Sequence, residues 1–199
     1  MEVNSKAKPF YKPWIGDNFE GDSRRLLILG ESHYGKGADN PNATRELTEC
    51  YLSGKMNYAF WTNVQNVVSP SSLTEKERSK FWHSVAFYNY VQETAGDTAG
   101  VSPRVEAFGN SKSAFFTVLD CLKPRAILVL STRLWNNLPG SSDGAEPTAP
   151  LVAAGKERDA WVYHYEGGSA LASWIPHPSR YFAVSRWRPW VKALIDRTS

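Results

Sequence analysis

The turn that follows one short apolar segment carries side chains capable of acid–base chemistry. Leu26 to Leu29 form a run of four apolar residues, too short for a helix, and predict a strand buried on both faces of a sheet. Gly30 follows, and then come an acid, a hydroxyl, an imidazole and a phenol: Glu31, Ser32, His33 and Tyr34. Because ligands of open α/β sheets bind just outside the carboxyl ends of strands, this turn is a candidate site. An ordinary strand-to-helix turn whose polar residues cap the next helix would use the same residue types.

Two further predicted strands end in polar residues. Asn89 lies near the end of an aromatic and β-branched segment, 85–91, and His177 follows an apolar segment that ends at Pro176. The carboxyl ends of parallel strands lie at one edge of a sheet, so Glu31, Asn89 and His177 are expected to converge. Each also has an ordinary interpretation: an acid that caps a helix, an amide bonded to the backbone, and a histidine satisfied within a turn.

The elements that must position these residues alternate between strands and helices. Strands are predicted at 25–30, 85–91, 126–130, 161–165 and 171–176. Helices are predicted from Asn42 or Thr44 to Leu52, over 58–68, over 74–82, from Ser111 or Ser113 to Leu122, over 132–138 and over 187–195. Pro189 is expected in the first turn of the last helix, and the Gly- and Pro-rich segments 94–110 and 140–158 are expected as loops.

This alternation predicts an α/β fold. We expect a single domain over residues 24–199 with a mostly parallel central sheet flanked by helices on both faces. Residues 1–23, with isolated aromatic residues between Lys, Pro and Gly, are expected to form an N-terminal arm with little regular structure.

Composition narrows the class of protein. The 199 residues suit one globular domain, and the net charge of +3 is compatible with a phosphate-bearing partner. Cys50 and Cys121 are far apart, so we expect small buried residues and neither a metal site nor a disulfide framework. No apolar run suits a signal peptide or the roughly 20 residues of a membrane span. A cytoplasmic protein without membrane contact, metal or cofactor is therefore expected.

The order of these motifs resembles the uracil-DNA glycosylase superfamily over roughly residues 24 to 195. The Gly-Glu-Ser-His-Tyr of residues 30–34 resembles the first catalytic motif of that family, and residues 87–91 resemble the strand that holds its base-reading Asn. Residues 122–138 are similar to a helix-Lys-Pro-strand segment and the short helix after it, and His177-Pro178-Ser179 is similar to the last motif.

The resemblance implies a DNA base-excision glycosylase that flips uracil or another deaminated base out of the helix. Glu31 would stabilise the oxocarbenium-like state and orient the attacking water, and His177 would stabilise negative charge on the departing base. Asn89 would read the base edge. The other residues implied in substrate binding are Gly30, Ser32, His33 and Tyr34, with Tyr34 excluding bulkier bases. A ring to stack on the base would come from Tyr58, Phe60 or Trp61.

The chain departs from the family pattern at two motifs. His33 stands where the family usually has Pro, and Arg180-Tyr181-Phe182 stand where a Pro-Leu pair often supplies the wedge into the duplex. The predicted DNA contacts are Ser179, Arg180 and Tyr181, with Tyr181 or Phe182 as the wedge or Arg180 holding a phosphate. From Arg180 onward, the sequence contains five basic residues and one acidic residue. This surplus of positive charge suits contact with the DNA backbone or a solvated helix face.

Two other functions stay open from the sequence. A non-catalytic module that binds nucleic acid or nucleotide would keep the pocket without the reaction. An unrelated hydrolase would use Glu31 and His33 as an acid–base pair on a small ester, and Asn89 and His177 would then be dispensable. The expected partner is DNA, single- or double-stranded, and the chain is expected to be a monomer.

Overall fold

The structure, a computed structural model, describes residues 7–35, 39–98, 100–179 and 181–198. Within these residues, six α-helices surround a seven-stranded sheet. The elements are β1 (Trp14–Ile15), β2 (Leu26–Gly30), α1 (Ala43–Leu52), α2 (Ala59–Val68), α3 (Glu75–Trp82), β3 (Ala86–Asn89), α4 (Val105–Leu122), β4 (Ala126–Leu130), α5 (Thr132–Asn137), β5 (Ala145–Ala153), β6 (Lys156–Tyr165), β7 (Gly168–Ile175) and α6 (Val184–Asp196). The prediction of an α/β fold is confirmed.

The sheet is mixed, so the prediction of a mostly parallel sheet is not confirmed. Its order is β1-β3-β2-β4-β7-β6-β5, and only the four strands β3, β2, β4 and β7 run parallel to one another. The three outer strands are antiparallel to their neighbours. The cause is local, because β5, β6 and β7 are joined by two-residue turns, which connect only antiparallel strands. At Ala154-Gly155 both φ angles are positive, 50° and 70°, as a tight hairpin turn requires.

Two apolar cores lie on opposite faces of the sheet. In β2, Leu26 and Ile28 pack into one core and Leu27 and Leu29 into the other, and all four are fully buried. Residues of α1, α2, α3 and α6 cover the first face, and residues of α4 and α5 cover the second. The unbroken apolar run in β2 therefore reflects a central strand covered by helices on both sides.

The N-terminal segment is part of the sheet. Trp14 and Ile15 pair antiparallel with β3, which makes β1 an edge strand of two residues. Tyr11 and Phe19 are buried against the body of the protein, as the aromatic residues of the arm predict. Residues 1–6 lie outside the described residues.

Several predicted boundaries are wrong for identifiable reasons. Segment 140–158 contains all of β5, whose Pro147 and Pro150 are tolerated because β5 is an edge strand with a bulge. Helix α4 begins at Val105, within the predicted loop 94–110. Helix α6 begins at Val184, so Pro189 lies in its second turn rather than its first.

The remaining sequence predictions have mixed outcomes. The helix predicted over 74–82 is present as α3, and Thr74 and Glu77 form a capping box at its start. The prediction that both cysteines are buried is wrong, since Cys50 is partly exposed and Cys121 is exposed near the end of α4. Among the described residues, no helix is long and apolar enough to cross a membrane.

Candidate active site

The four parallel strands bring polar residues to one edge of the sheet. Asn89 ends β3, Glu31 follows β2, Ser131 follows β4, and His177 lies two residues after β7. These strands are neighbours in the order β3-β2-β4-β7 and point the same way, so their carboxyl ends share an edge. The topology thus places the predicted Glu31, Asn89 and His177 at the same edge, together with a serine that the sequence did not single out.

The Glu31 carboxylate is held by donors from the start of α5. Ser131 Oγ donates to Oε2 over 3.0 Å, and Arg133 Nε lies 3.1 and 3.0 Å from the two carboxylate oxygens. Arg133 Nη2 also donates to Oε1, which makes the ion pair bidentate. The Glu31 side chain is 9% exposed and that of Arg133 is 46% exposed. Hydrogen bonding to Glu31 raises the pKa of Arg133, so the guanidinium stays protonated and positively charged.

Arg133 and Ser131 are site residues that the sequence reasoning missed. Both lie in a segment already predicted as a strand followed by a short helix. The rule that ligands bind at the carboxyl ends of parallel strands, which pointed to Glu31, applies equally to Ser131, because Ser131 is the first residue after a buried parallel strand. Ser131 also accepts a hydrogen bond from Leu134 N over 3.2 Å, so its hydroxyl caps α5 while it orients the carboxylate.

His177 is an exposed residue at the same edge of the sheet as this ion pair. Its ring packs on Phe60 of α2, with ring centroids 5.3 Å apart. Partial burial of the imidazole lowers the pKa of His177, the Glu31 charge opposes that shift, and the Arg133 charge reinforces it. The turn that carries His177 is tied to α2, because Asn63 Nδ2 donates to Pro178 O over 3.2 Å and to Ser179 O over 3.0 Å.

His33 faces the interior and contacts Asn89. Its ring is 4% exposed, Nε2 lies 2.8 Å from Thr44 Oγ1, and Asn89 Nδ2 lies 3.1 Å from the same nitrogen. Burial lowers the pKa of His33 to about 4, so the ring is neutral at pH 7 and can accept the amide N–H. Tyr11 packs against the ring at a centroid distance of 4.4 Å. His33 therefore fixes the orientation of the Asn89 amide.

Gly30 leaves room for that amide. It lies directly opposite Asn89 in the parallel pair of β2 and β3. A Cβ at residue 30 would lie 2.2 Å from Asn89 Oδ1, far inside normal contact distance, and 3.2 Å from the Phe87 ring, which is a tight contact. Glycine is required at residue 30 because the Asn89 side chain packs on its Cα, rather than because of its backbone conformation.

The buried imidazole predicts a loss of stability in acid. The unfolded chain protonates His33 near its ordinary pKa of 6.5, whereas the folded protein does so only near 4. The stabilising contribution is complete above pH 6.5 and is lost as the pH falls to about 4. The free energy of unfolding should fall by about 3 kcal/mol across that window from this residue alone. Chemical denaturation at several pH values measures it.

A His33→Gln variant isolates this contribution from other titrating groups. Its stability should vary less between pH 6.5 and 4 than that of the parent protein. His164→Gln provides the control, because His164 lies at the surface beside Glu146. If the parent and His33→Gln lost stability in parallel over this range, His33 would be solvated and its role in orienting Asn89 would be refuted.

The three candidate rings have different environments. Phe60 contacts His177 and lies at the site. Trp61 is buried in the core and stacks on Tyr51, with centroids 5.6 Å apart, whereas Tyr58 is exposed. Phe60 is therefore the ring that the structure brings to the candidate site.

The other predicted contacts lie toward the surface. Ser32 is partly buried and Tyr34 is exposed. Ser179 is exposed, and Tyr181 is 92% exposed with a φ of +71°, a left-handed conformation that is costly for a residue with a side chain. Arg180, predicted to contact DNA, lies outside the described residues.

Most of the basic residues in the C-terminal segment have partners within the protein. Arg188 donates to Asn66 O, Lys192 pairs with Asp196, and Arg197 donates to the backbone of β5. Arg186 instead packs over the Trp187 ring and lines a cavity of about 270 Å³ that also includes His177 and Tyr181. The local surplus of positive charge thus overstates the number of basic side chains that are available to bind a nucleic acid.

Two other features bear on ligands. A larger cavity of about 620 Å³ lies between the end of α5 and the β5–β6 hairpin, and none of the predicted site residues lines it. Across the ranges that the structure describes, no group of three His, Cys, Asp or Glu side chains is arranged to hold a metal ion.

Comparison with known proteins gives no match, since no protein-family model fits the chain and no curated protein is significantly similar to it. The arrangement at the carboxyl edge of β2, β3, β4 and β7 is therefore the basis for any functional assignment.

Proposed function

We propose that the protein cleaves the N-glycosidic bond of a deaminated base in DNA and that its fold is of the uracil-DNA glycosylase type. One observation carries the proposal: a Glu31 carboxylate oriented by Ser131 and Arg133 shares one edge of the sheet with His177, and both residues follow parallel strands. The order of motifs in the sequence supports the same function.

The proposed reaction breaks the bond between the sugar carbon and the base nitrogen, and the base leaves with the bonding electron pair. Glu31 stabilises the positive charge that develops on the sugar and accepts a proton from the water that adds to it. His177 stabilises the negative charge on the departing base. Asn89 offers amide atoms to the base edge, and Phe60 offers a ring for stacking.

The ester hydrolase is the least supported of the three functions. Its acid–base pair needs a hydrogen bond between His33 and Glu31, and within the described segments none joins the two side chains. His33 is instead buried against Thr44 and Asn89, with its pKa lowered to about 4. A base with that pKa is too weak for efficient proton abstraction near neutral pH.

The binding module is the second candidate, and one contact favours it. The bidentate pair with Arg133 neutralises the Glu31 charge on which the proposed reaction depends. A protein that only recognises a flipped base or a nucleotide would tolerate this pairing, because it stabilises no transition state.

A single-turnover assay separates these functions. Oligonucleotides that carry uracil, hypoxanthine or no damaged base are incubated with excess protein at several salt concentrations. Base release from one damaged substrate, together with binding that weakens as salt rises, is the expected result. Salt-sensitive binding of the oligonucleotides without release of a base would favour the binding module. If the protein neither releases a base nor binds the oligonucleotides, both candidate functions are refuted.

A further inference from the structure

Every nitrogen of the Arg133 guanidinium has a partner at the candidate site. Nε and Nη2 bind the Glu31 carboxylate, and Nη1 donates to Ser102 Oγ from the loop before α4. Arg133 thus links the ends of two parallel strands to a third segment.

The same contact is poorly protected from solvent. The Arg133 side chain is 46% exposed and that of Glu31 is 9% exposed, so solvent reaches this pair from the arginine side. A phosphate group offers the same bidentate geometry as a carboxylate, and guanidinium groups are well suited to it. A ligand phosphate that arrives from solvent can therefore replace Glu31 as the partner of Arg133, while the hydrogen bond from Ser131 to the carboxylate is kept.

We propose that Arg133 is a releasable positioning residue, which holds Glu31 in the empty site and transfers to a phosphate group of the ligand on binding. The ligand's phosphate rests on the proposed function, whereas the contact with Glu31 does not. Release leaves Glu31 held by Ser131 alone and restores its negative charge toward the ligand. Catalysis by the carboxylate is thereby confined to the bound state.

The pKa of His177 reports whether Arg133 is released from Glu31. The charged groups that act on its imidazole are Glu31, which follows β2, and Arg133 in α5, while the α2 ring packed on it, Phe60, is neutral. Removing the Arg133 charge while keeping Glu31 leaves the carboxylate and Arg186, a guanidinium of α6 that lines the same cavity as His177 and is unchanged by the substitution. The pKa of His177 then rises. Loss of packing on the imidazole would also raise this pKa, so Arg133→Lys, which keeps the charge and should leave the pKa low, separates the two causes.

The first test is an NMR titration of the His177 imidazole in the full chain. We expect the His177 pKa to be higher in Arg133→Gln than in the parent protein, and higher in the parent protein when a short single-stranded oligonucleotide is bound. Arg104→Gln is the matched control, because Arg104 forms its exposed ion pair with Glu93 rather than with Glu31. An unchanged His177 titration in Arg133→Gln would overturn the proposal.

The second test measures binding of the same oligonucleotide as a function of salt. If Arg133 transfers to a phosphate, Arg133→Gln should reduce the slope of log affinity against log salt by about 1. Arg133→Lys keeps the charge and should retain the slope. Equal slopes for the parent protein and Arg133→Gln would show that Arg133 never leaves Glu31.

Base release, measured in the same samples, keeps this proposal distinct from the proposed function. If the His177 titration shifts and the salt slope falls but no base is released, the glycosylase is refuted and the transfer of Arg133 to a phosphate is supported. Base release with an unchanged titration and an unchanged slope would support the glycosylase and overturn the role of Arg133.

Discussion

Replacing Glu31 with Gln is expected to lower the single-turnover rate of base release by about 100- to 1000-fold, the scale typical of losing one preorganised electrostatic group. Glutamine keeps the shape of the side chain and an oxygen that can accept from Ser131. It removes the negative charge that the proposed reaction needs at the sugar. The free energy of unfolding should change by less than about 1 kcal/mol, since Arg133 is exposed enough to be hydrated.

The matched control for this substitution is Glu93→Gln. Glu93 also pairs with an arginine, Arg104, and its side chain is 38% exposed. Base release by Glu93→Gln should match that of the parent protein. Thermal unfolding of both variants decides the interpretation. A Glu31→Gln protein that fails to fold would make Glu31 a structural residue, and a folded one with full activity would remove it from the chemistry.

The parts of the fold that were predicted correctly depend on short-range patterns. The apolar run 26–29 indicates a central strand regardless of its neighbours, and the capping box at Thr74 and Glu77 is complete within four residues. Each signal is set by its own residues, so no tertiary information was needed.

The errors arose where tertiary contacts override local preference. Gly109 and the Gly- and Thr-rich stretch before it favour a loop, yet α4 extends back to Val105 because Ala107 and Phe108 pack into the core of the second face. In β5, two prolines argue against a strand, and only its place at the edge of the sheet makes them acceptable.

The candidate site was predictable in part for the same reason. The rule that parallel strands end at one edge predicted that Glu31, Asn89 and His177 share a location. The rule does not give side-chain direction, so the sequence could not indicate that His33 turns inward to Asn89. The pairing of Glu31 with Arg133, about 100 residues later in the chain, is a contact of the folded protein that no local pattern encodes.

Replacing Gly30 with Ala should disturb both stability and base preference. The added Cβ would lie 2.2 Å from Asn89 Oδ1, so the amide must move and its contact with His33 Nε2 is strained or lost. Overpacking of this kind costs about 1–3 kcal/mol. Because Asn89 is proposed to read the base edge, discrimination between uracil and other bases should weaken more than binding does. Chemical denaturation and competition between substrates measure the two effects.

Gly109→Ala makes the same chemical change with the opposite expected sign. Nothing lies within 4 Å of a Cβ at residue 109, which is an exposed position inside α4. Alanine there should stabilise the protein by about 0.5–1 kcal/mol, because glycine is the weaker helix former. The contrast tests the packing of Asn89 directly. Were Gly30→Ala as stable and as selective as the parent protein, Asn89 would not be seated against β2, and the candidate site would lose its base-reading residue.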